Sequence, residues 1–143
     1  MLADASERLV TTVDEVFAPW VRRRMLAVAP ALGTVADEVA DRCAAALSPR
    51  LRELVSEDID RQRTTPPRLV REVMAAPTAA LAGAGVPPVR RDPRQAELDP
   101  RDVYDLGPAR WSDLGEEVGE AALVWGAAKA MVHLDRHRDD AGG

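Results

Sequence analysis

Aromatic residues are scarce in this chain of 143 residues: Phe17, Trp20, Tyr104, Trp111 and Trp125 are the full set. A length of this size makes about one domain with a real core, so that core must be filled mainly by Leu, Val and Ala. Cysteine is rarer still. Cys43 stands alone, which excludes an intramolecular disulfide and suits a reducing cytosol. Lys129 is the sole lysine, so positive charge is carried almost wholly by arginine. A basic excess is also missing. The net charge of −5 argues against bulk attraction to nucleic acid or to anionic lipid. Long apolar runs are absent too. The longest near the C-terminus, residues 121–128, is far too short to span a bilayer. The opening stretch MLADASERL has acids where a secretion signal needs a basic and then an apolar segment. Together these absences lead to the expectation of a cytoplasmic protein that does not engage membranes.

Catalytic signatures are equally thin. Gly83-Ala84-Gly85 lacks the flanking strand and the Lys-Ser/Thr pair that make a glycine loop cradle phosphate. The acidic run Glu57, Asp58, Asp60 has no Glu-x-x-His to build a dimetal bundle site, and ion pairs such as Glu57 with Arg61 account for it better. No catalytic residue, metal ligand set or cofactor is assigned, and the reading leans away from an enzyme.

What the chain does have is helical periodicity punctuated by proline. Leu9, Val13, Val16, Phe17, Trp20 and Val21 recur at three- and four-residue spacing, which predicts a first helix over about 4–29, kinked or ended early by Pro19. Pro30 suits the first turn of a second helix, with Leu32, Val35, Val39, Cys43 and Leu47 as its stripe. Ser48-Pro49 reads as a cap and start for a third helix, or a kinked continuation, with Leu51, Leu54, Val55 and Ile59 inward. Thr65-Pro66-Pro67 repeats that logic ahead of Leu69, Val70, Val73 and Met74. Pro77 breaks that helix or starts a short turn through Leu81, and Gly83 and Gly85 suit a left-handed stop.

Residues 64–112 hold eight of the eleven prolines, yet they also carry Leu81, Val86, Val103, Tyr104, Leu106 and Trp111. A disordered linker is poor in such anchors, so this segment is expected to be ordered and laid over the helices. Short helical turns are expected near 100–106 and 108–114. A last helix over about 115–137 carries Leu114, Val118, Ala121, Trp125, Ala128 and Val132 on one side and Leu123, Ala127, Ala130 and Leu134 on another. A helix apolar on two sides is usually central to its bundle. The predicted fold is therefore all-α: one domain over residues 1–138, a bundle of four to five helices with a Pro-rich strap wrapped over it, and a loose tail over 139–143.

Four stretches carry a resemblance: Asp60-Arg-Gln-Arg-Thr-Thr-Pro66, Ala84-Gly-Val-Pro-Pro-Val-Arg-Arg-Asp92, Asp102-Val-Tyr-Asp-Leu106 and Trp125-Gly-Ala-Ala-Lys-Ala-Met-Val-His-Leu134. Across roughly 51–137 the chain resembles a group of small actinobacterial helical proteins to which no activity is attached. The resemblance implies a shared fold and such an origin. It transfers no functional residue.

Each candidate residue has an ordinary packing explanation beside a functional one. Trp125, Lys129 and His133 form an i, i+4, i+8 row, where a partly desolvated Lys beside a Trp would make a cationic handle for an anionic ligand. The competing reading is a lysine stem packed on the core. His133 and His137, four apart, share a helix face as in helical metal sites, with Asp140 as the only third ligand in view. A helix C-terminal dipole contact explains them more simply. Tyr104 and Trp111 are partner anchors or pins for the strap. Phe17 and Trp20 lie on the broad apolar face of the first helix, a candidate homodimer surface. Arg22–Arg24 and Arg90–Arg91 are short basic spots, and nucleic-acid binding through them is a weak third reading. The leading expectation is a non-enzymatic module that binds a protein partner or itself. The alternative is a small-molecule sensor or unrecognised enzyme with a pocket at Trp125, Lys129 and His133.

Overall fold

A continuous apolar face holds a helix together across a proline, and this chain uses that twice. The computed structural model describes residues 2–88, 103, 104, 106–108 and 110–142, with backbone only for 139–142. Helix α1 spans Leu2–Val28 with Pro19 inside it, and α2 spans Thr34–Ser56 with Pro49 inside it. Both prolines lie on exposed faces, where water can reach the carbonyls that lose their amide partner. On the inner faces, Trp20, Val21 and Met25 continue the α1 stripe past Pro19, and Leu51, Leu54 and Val55 continue the α2 stripe past Pro49. Burial of those side chains outweighs a proline cost of about 3 kcal/mol. Pro19 therefore does not end the first helix, and Ser48-Pro49 does not start a third.

Between α1 and α2, Pro30–Leu32 forms a single 3₁₀ turn. Gly33 then takes φ +54 and ψ −123, a region open essentially to glycine alone. That is why α2 begins at Thr34 and not at Pro30. After α2 a 3₁₀ turn at Ile59–Arg61 leads to α3, Pro66–Val73. Here the cap-then-proline reading holds: the Thr65 hydroxyl accepts the Arg68 amide at 3.3 Å, and Leu69, Val70, Val73 and Met74 are buried. Helix α4, Ala75–Gly83, ends in a Schellman motif. Gly85 has φ +80, its amide donates to Ala82, and the Val86 amide donates back to Leu81 at 3.1 Å.

The described part of the strap is anchored. Tyr104, Leu106 and Pro108 are buried, and the Tyr104 hydroxyl donates to the Val86 carbonyl at 2.6 Å. The expected course of residues 89–102, 105 and 109, including Arg90–Arg91, lies outside the described residues. A 3₁₀ turn at Trp111–Leu114 is tied to α1 by the Trp20 indole, which donates to the Asp113 carbonyl at 3.1 Å. Helix α5, Glu116–Gly142, follows and runs past the end expected at His137. Among the described residues the fold is all-α, with no strand.

The order of packing differs from the expectation that the last helix is central. Helix α1 takes that place, with α2 and α4 against it on one side and α5 with the 111–114 turn on the other, while α3 packs on α2. Helix α5 buries Val118, Ala121, Ala122, Trp125 and Ala128 but leaves Leu123 76% and Leu134 64% exposed. Two apolar stripes suit a helix with two partners, and among the described residues one of them is covered.

Cys43 joins α2 to α3 by donating its thiol to the Val73 carbonyl at 3.1 Å. Burial pushes the thiol from its ordinary 9.0 up to about 12. Below pH 9 the group is protonated in both states and contributes no pH dependence. Above it, the unfolded chain loses the proton first, so stability falls with rising pH by up to about 1.4 kcal/mol per unit. The stability advantage of the native chain over Cys43→Ala, read from urea unfolding at pH 8.5, 9.5 and 10.5, is expected to shrink at that rate. A thiol reagent should label Cys43 only on unfolding.

Candidate functional site

The loop that leaves α2 and the outer half of α5 meet, and the sequence row Trp125, Lys129, His133 lies at that junction. Glu57 caps α2 in an extended conformation, and the Asp58 side chain accepts the Asp60 amide at 3.3 Å to start the 3₁₀ turn. Gln62 fastens the turn from below by donating its side-chain amide to the Leu54 carbonyl at 2.7 Å.

Lys129 is 4% exposed, and its Nζ donates to the Glu57 carbonyl at 2.7 Å, at the negative end of α2. The same ammonium stands 5.2 Å from the centre of the Trp125 ring. Desolvation pulls the amine below its ordinary pKa, partly opposed by the charges of Glu57 and Asp58. The lysine is thus a bracket between two helices, with its stem packed and one of its three N–H donors bound to the Glu57 carbonyl. This is the packed-stem arrangement. Grooves of about 390, 520 and 540 Å³ lie elsewhere, and none is lined by Trp125, Lys129 or His133. Lys129→Met, which keeps the stem, is expected to change unfolding stability by less than about 1 kcal/mol. Lys129→Ala, which removes it, should cost about 1–2 kcal/mol by urea denaturation.

Beyond Lys129 the contacts continue along α5. Arg136 pairs with Asp58 at 2.8 Å, and its hydrogen bond, with that of the Asp60 amide, holds the Asp58 carboxyl below the usual carboxylate range. Asp58 is therefore paired with Arg136 on α5, 78 residues away, rather than within its own acidic run. His133 is half-buried with Nδ1 3.3 Å from Asp60 Oδ1, and its ring meets that of His137 edge-on at 4.2 Å between centroids. Asp140, the third ligand in view from sequence, has no described side chain. Asp60 stands there instead, and a separation of 73 residues leaves no sequence signal for it.

The expected partner anchors divide sharply. Phe17 is 0% and Trp20 6% exposed, stacked on each other at 6.2 Å inside the core. They have no surface to give a partner, which corrects the expectation of a dimer through the first helix. Tyr104 is buried and pins the strap. Trp111 is half-buried and lines, with Gly119, Ala122 and Leu123, an apolar groove of about 540 Å³ beside the first turns of α5. Of the basic spots, Arg22 pairs with Asp37 and Arg24 covers the Trp20 ring at 5.7 Å.

The larger unassigned feature is the outward face of α5. Leu123, Val124, Met131 and Leu134 are exposed large hydrophobics, and Ala127 and Ala130 lie exposed between them. Positions 123, 127, 130 and 134 follow a 4-3-4 spacing, with 124 and 131 alongside at one heptad's separation. The stripe runs about 16 Å along the helix. No described helix is long and apolar enough to cross a membrane, so this face is not part of a span. Compared with known proteins, the chain matches no family model, no curated protein and no solved structure.

Proposed function

We propose that this chain is a non-enzymatic interaction module of the cytosol that associates with a second copy of itself through the outward face of α5. The carrying observation is the exposed stripe Leu123, Val124, Ala127, Ala130, Met131 and Leu134. Its heptad spacing is that of a helix built to pack on another helix. A second copy in antiparallel register is favoured by one flanking pair, Glu117 on the exposed first turns of α5 and Arg138 on its later turns, with Arg136 already held by Asp58.

With Leu123 layered on Leu134 of a second copy and Ala127 on Ala130, Glu117 falls beside Arg138 and Val124 beside Met131. Parallel pairing would bring the acidic first turns of the two copies, Glu116, Glu117 and Glu120, to the same end. Antiparallel pairing also opposes the two helix dipoles. The small residues Gly126, Ala127 and Ala130 at the centre permit a close approach, near the lower end of the usual 8–10 Å between axes.

The alternative of a ligand pocket at Trp125, Lys129 and His133 is weakened by the lysine's own bond to Glu57. Nucleic-acid binding is disfavoured by the net charge of −5. Light scattering coupled to size exclusion, with sedimentation equilibrium over a dilution series, tests the proposal. A concentration-dependent dimer is expected. A monomer at every concentration up to the millimolar range would remove it.

A further inference from the structure

We propose that Asp60, His133 and His137 form a binding site for one Zn²⁺ ion, which fastens the loop after α2 to α5. One ligand atom from each of the three residues lies within 4.8 Å of the others. Two come from successive turns of one helix face and the third from the 3₁₀ turn at Ile59–Arg61. The closest pair, His133 Nδ1 and Asp60 Oδ1, is 3.3 Å apart. Ligands held about 2.0–2.1 Å from a tetrahedral zinc are about 3.3 Å from each other, so this pair already has the spacing of one tetrahedral edge.

That separation also suits an ion pair, but no hydrogen bond joins the two atoms. His133 Nδ1 is a buried atom with no hydrogen-bond partner among the described residues, although a carboxylate oxygen stands beside it. A buried nitrogen in that condition calls for an explanation, and a shared ion supplies one.

The charged neighbours are committed elsewhere. Arg136 is paired with Asp58 at 2.8 Å and Lys129 with the Glu57 carbonyl at 2.7 Å, so neither cation is paired with the Asp60 carboxylate. Those two contacts also fix the start of the turn against α5 next to the three ligands, which places the site without help from the metal. His137 closes the triangle from the solvent side.

The donor set chooses the ion. Two imidazoles and one carboxylate suit Zn²⁺ and its first-row neighbours, whereas Mg²⁺ and Ca²⁺ require shells of oxygen. Three protein ligands leave a fourth position for water. The ion would cross-link segments more than 70 residues apart, so its first consequence is to stabilise the fold. The loop carrying Asp60 also carries Glu57, which holds Lys129, so the zinc clamp and the lysine bracket reinforce one another.

The test is thermal unfolding of the full chain with ZnCl₂ alone, against MgCl₂ as control. With zinc about 100-fold above its dissociation constant, the melting temperature is expected to rise by roughly 10 °C, and not to move with magnesium. His137→Ala, at an exposed position, should keep the metal-free melting temperature and lose the rise. Asp60→Asn should do the same. Co²⁺ as a spectroscopic substitute should give the intense visible bands of a four-coordinate site in the native chain and the weak bands of the aqueous ion in His137→Ala. The rise should persist in a Leu123→Glu/Leu134→Glu background, since all three ligands belong to one chain. The proposal is overturned if zinc leaves the native chain unmoved, if His137→Ala responds as the native chain does, or if the response is lost in the α5 double variant and tracks formation of larger species.

Discussion

Replacing Phe17 by alanine is expected to lower the unfolding free energy by about 3–5 kcal/mol. The ring is fully buried near the middle of α1, stacked on Trp20, whose indole in turn holds the 111–114 turn through Asp113. Helix α1 is flanked by α2 and α4 on one side and α5 on the other, so a cavity there loosens both seams. A domain of this size is stable by about 5–15 kcal/mol in all, so this single change removes a large fraction of that margin. Urea unfolding followed by far-ultraviolet circular dichroism reads the effect. Leu134→Ala on the exposed face of α5 serves as the contrast and should stay within about 0.5 kcal/mol under monomeric conditions. A cost below about 1 kcal/mol for Phe17→Ala would mean that α1 is not the central helix.

The second large effect concerns assembly. Leu123→Glu together with Leu134→Glu is expected to weaken the proposed dimer by at least about 10⁴-fold. Four leucines leave the interface of the pair, and each is worth about 1.5–3 kcal/mol on burial, so roughly 6 kcal/mol is lost even at the low end. Both positions are exposed within one chain, so the variant's monomer should melt at or slightly above the native monomer's temperature. That separates loss of association from loss of fold. Direction is tested by charge. Glu117→Arg alone should weaken the dimer, and adding Arg138→Glu to the same chain should restore it, since the antiparallel register sets 117 beside 138. Failure of that rescue, with the leucine variant still monomeric, would leave the face in place and discard the register.

How far the site was legible from sequence depends on chain separation. The Thr65 cap, the inward set Leu69, Val70, Val73 and Met74, and the Gly85 stop were readable because each is decided within a single turn of helix. Pro19 and Pro49 left a break and a continuation both open, because proline acts locally while the contacts that carry the helix past it are made by residues distant in the chain. On α5 both stripes were visible as spacing, but spacing does not say whether a partner comes from the same chain. The pairing of Lys129 with Glu57, and of His133 with Asp60, joins positions more than 70 residues apart. Neither end carries a motif that anticipates the other.

The sequence by itself determined that the chain is helical, where α3 is capped and α4 stops, and which residues each helix turns to a common side. Those are consequences of backbone geometry and local hydrogen bonds, which neighbours in the chain control. Tertiary structure alone decided that α1 and not α5 lies at the centre, that Phe17 and Trp20 are core, that Lys129 is a bracket and that Leu123 to Leu134 face outward. Apolar burial has no direction of its own, so which faces meet is settled only when all the helices compete for the same contacts.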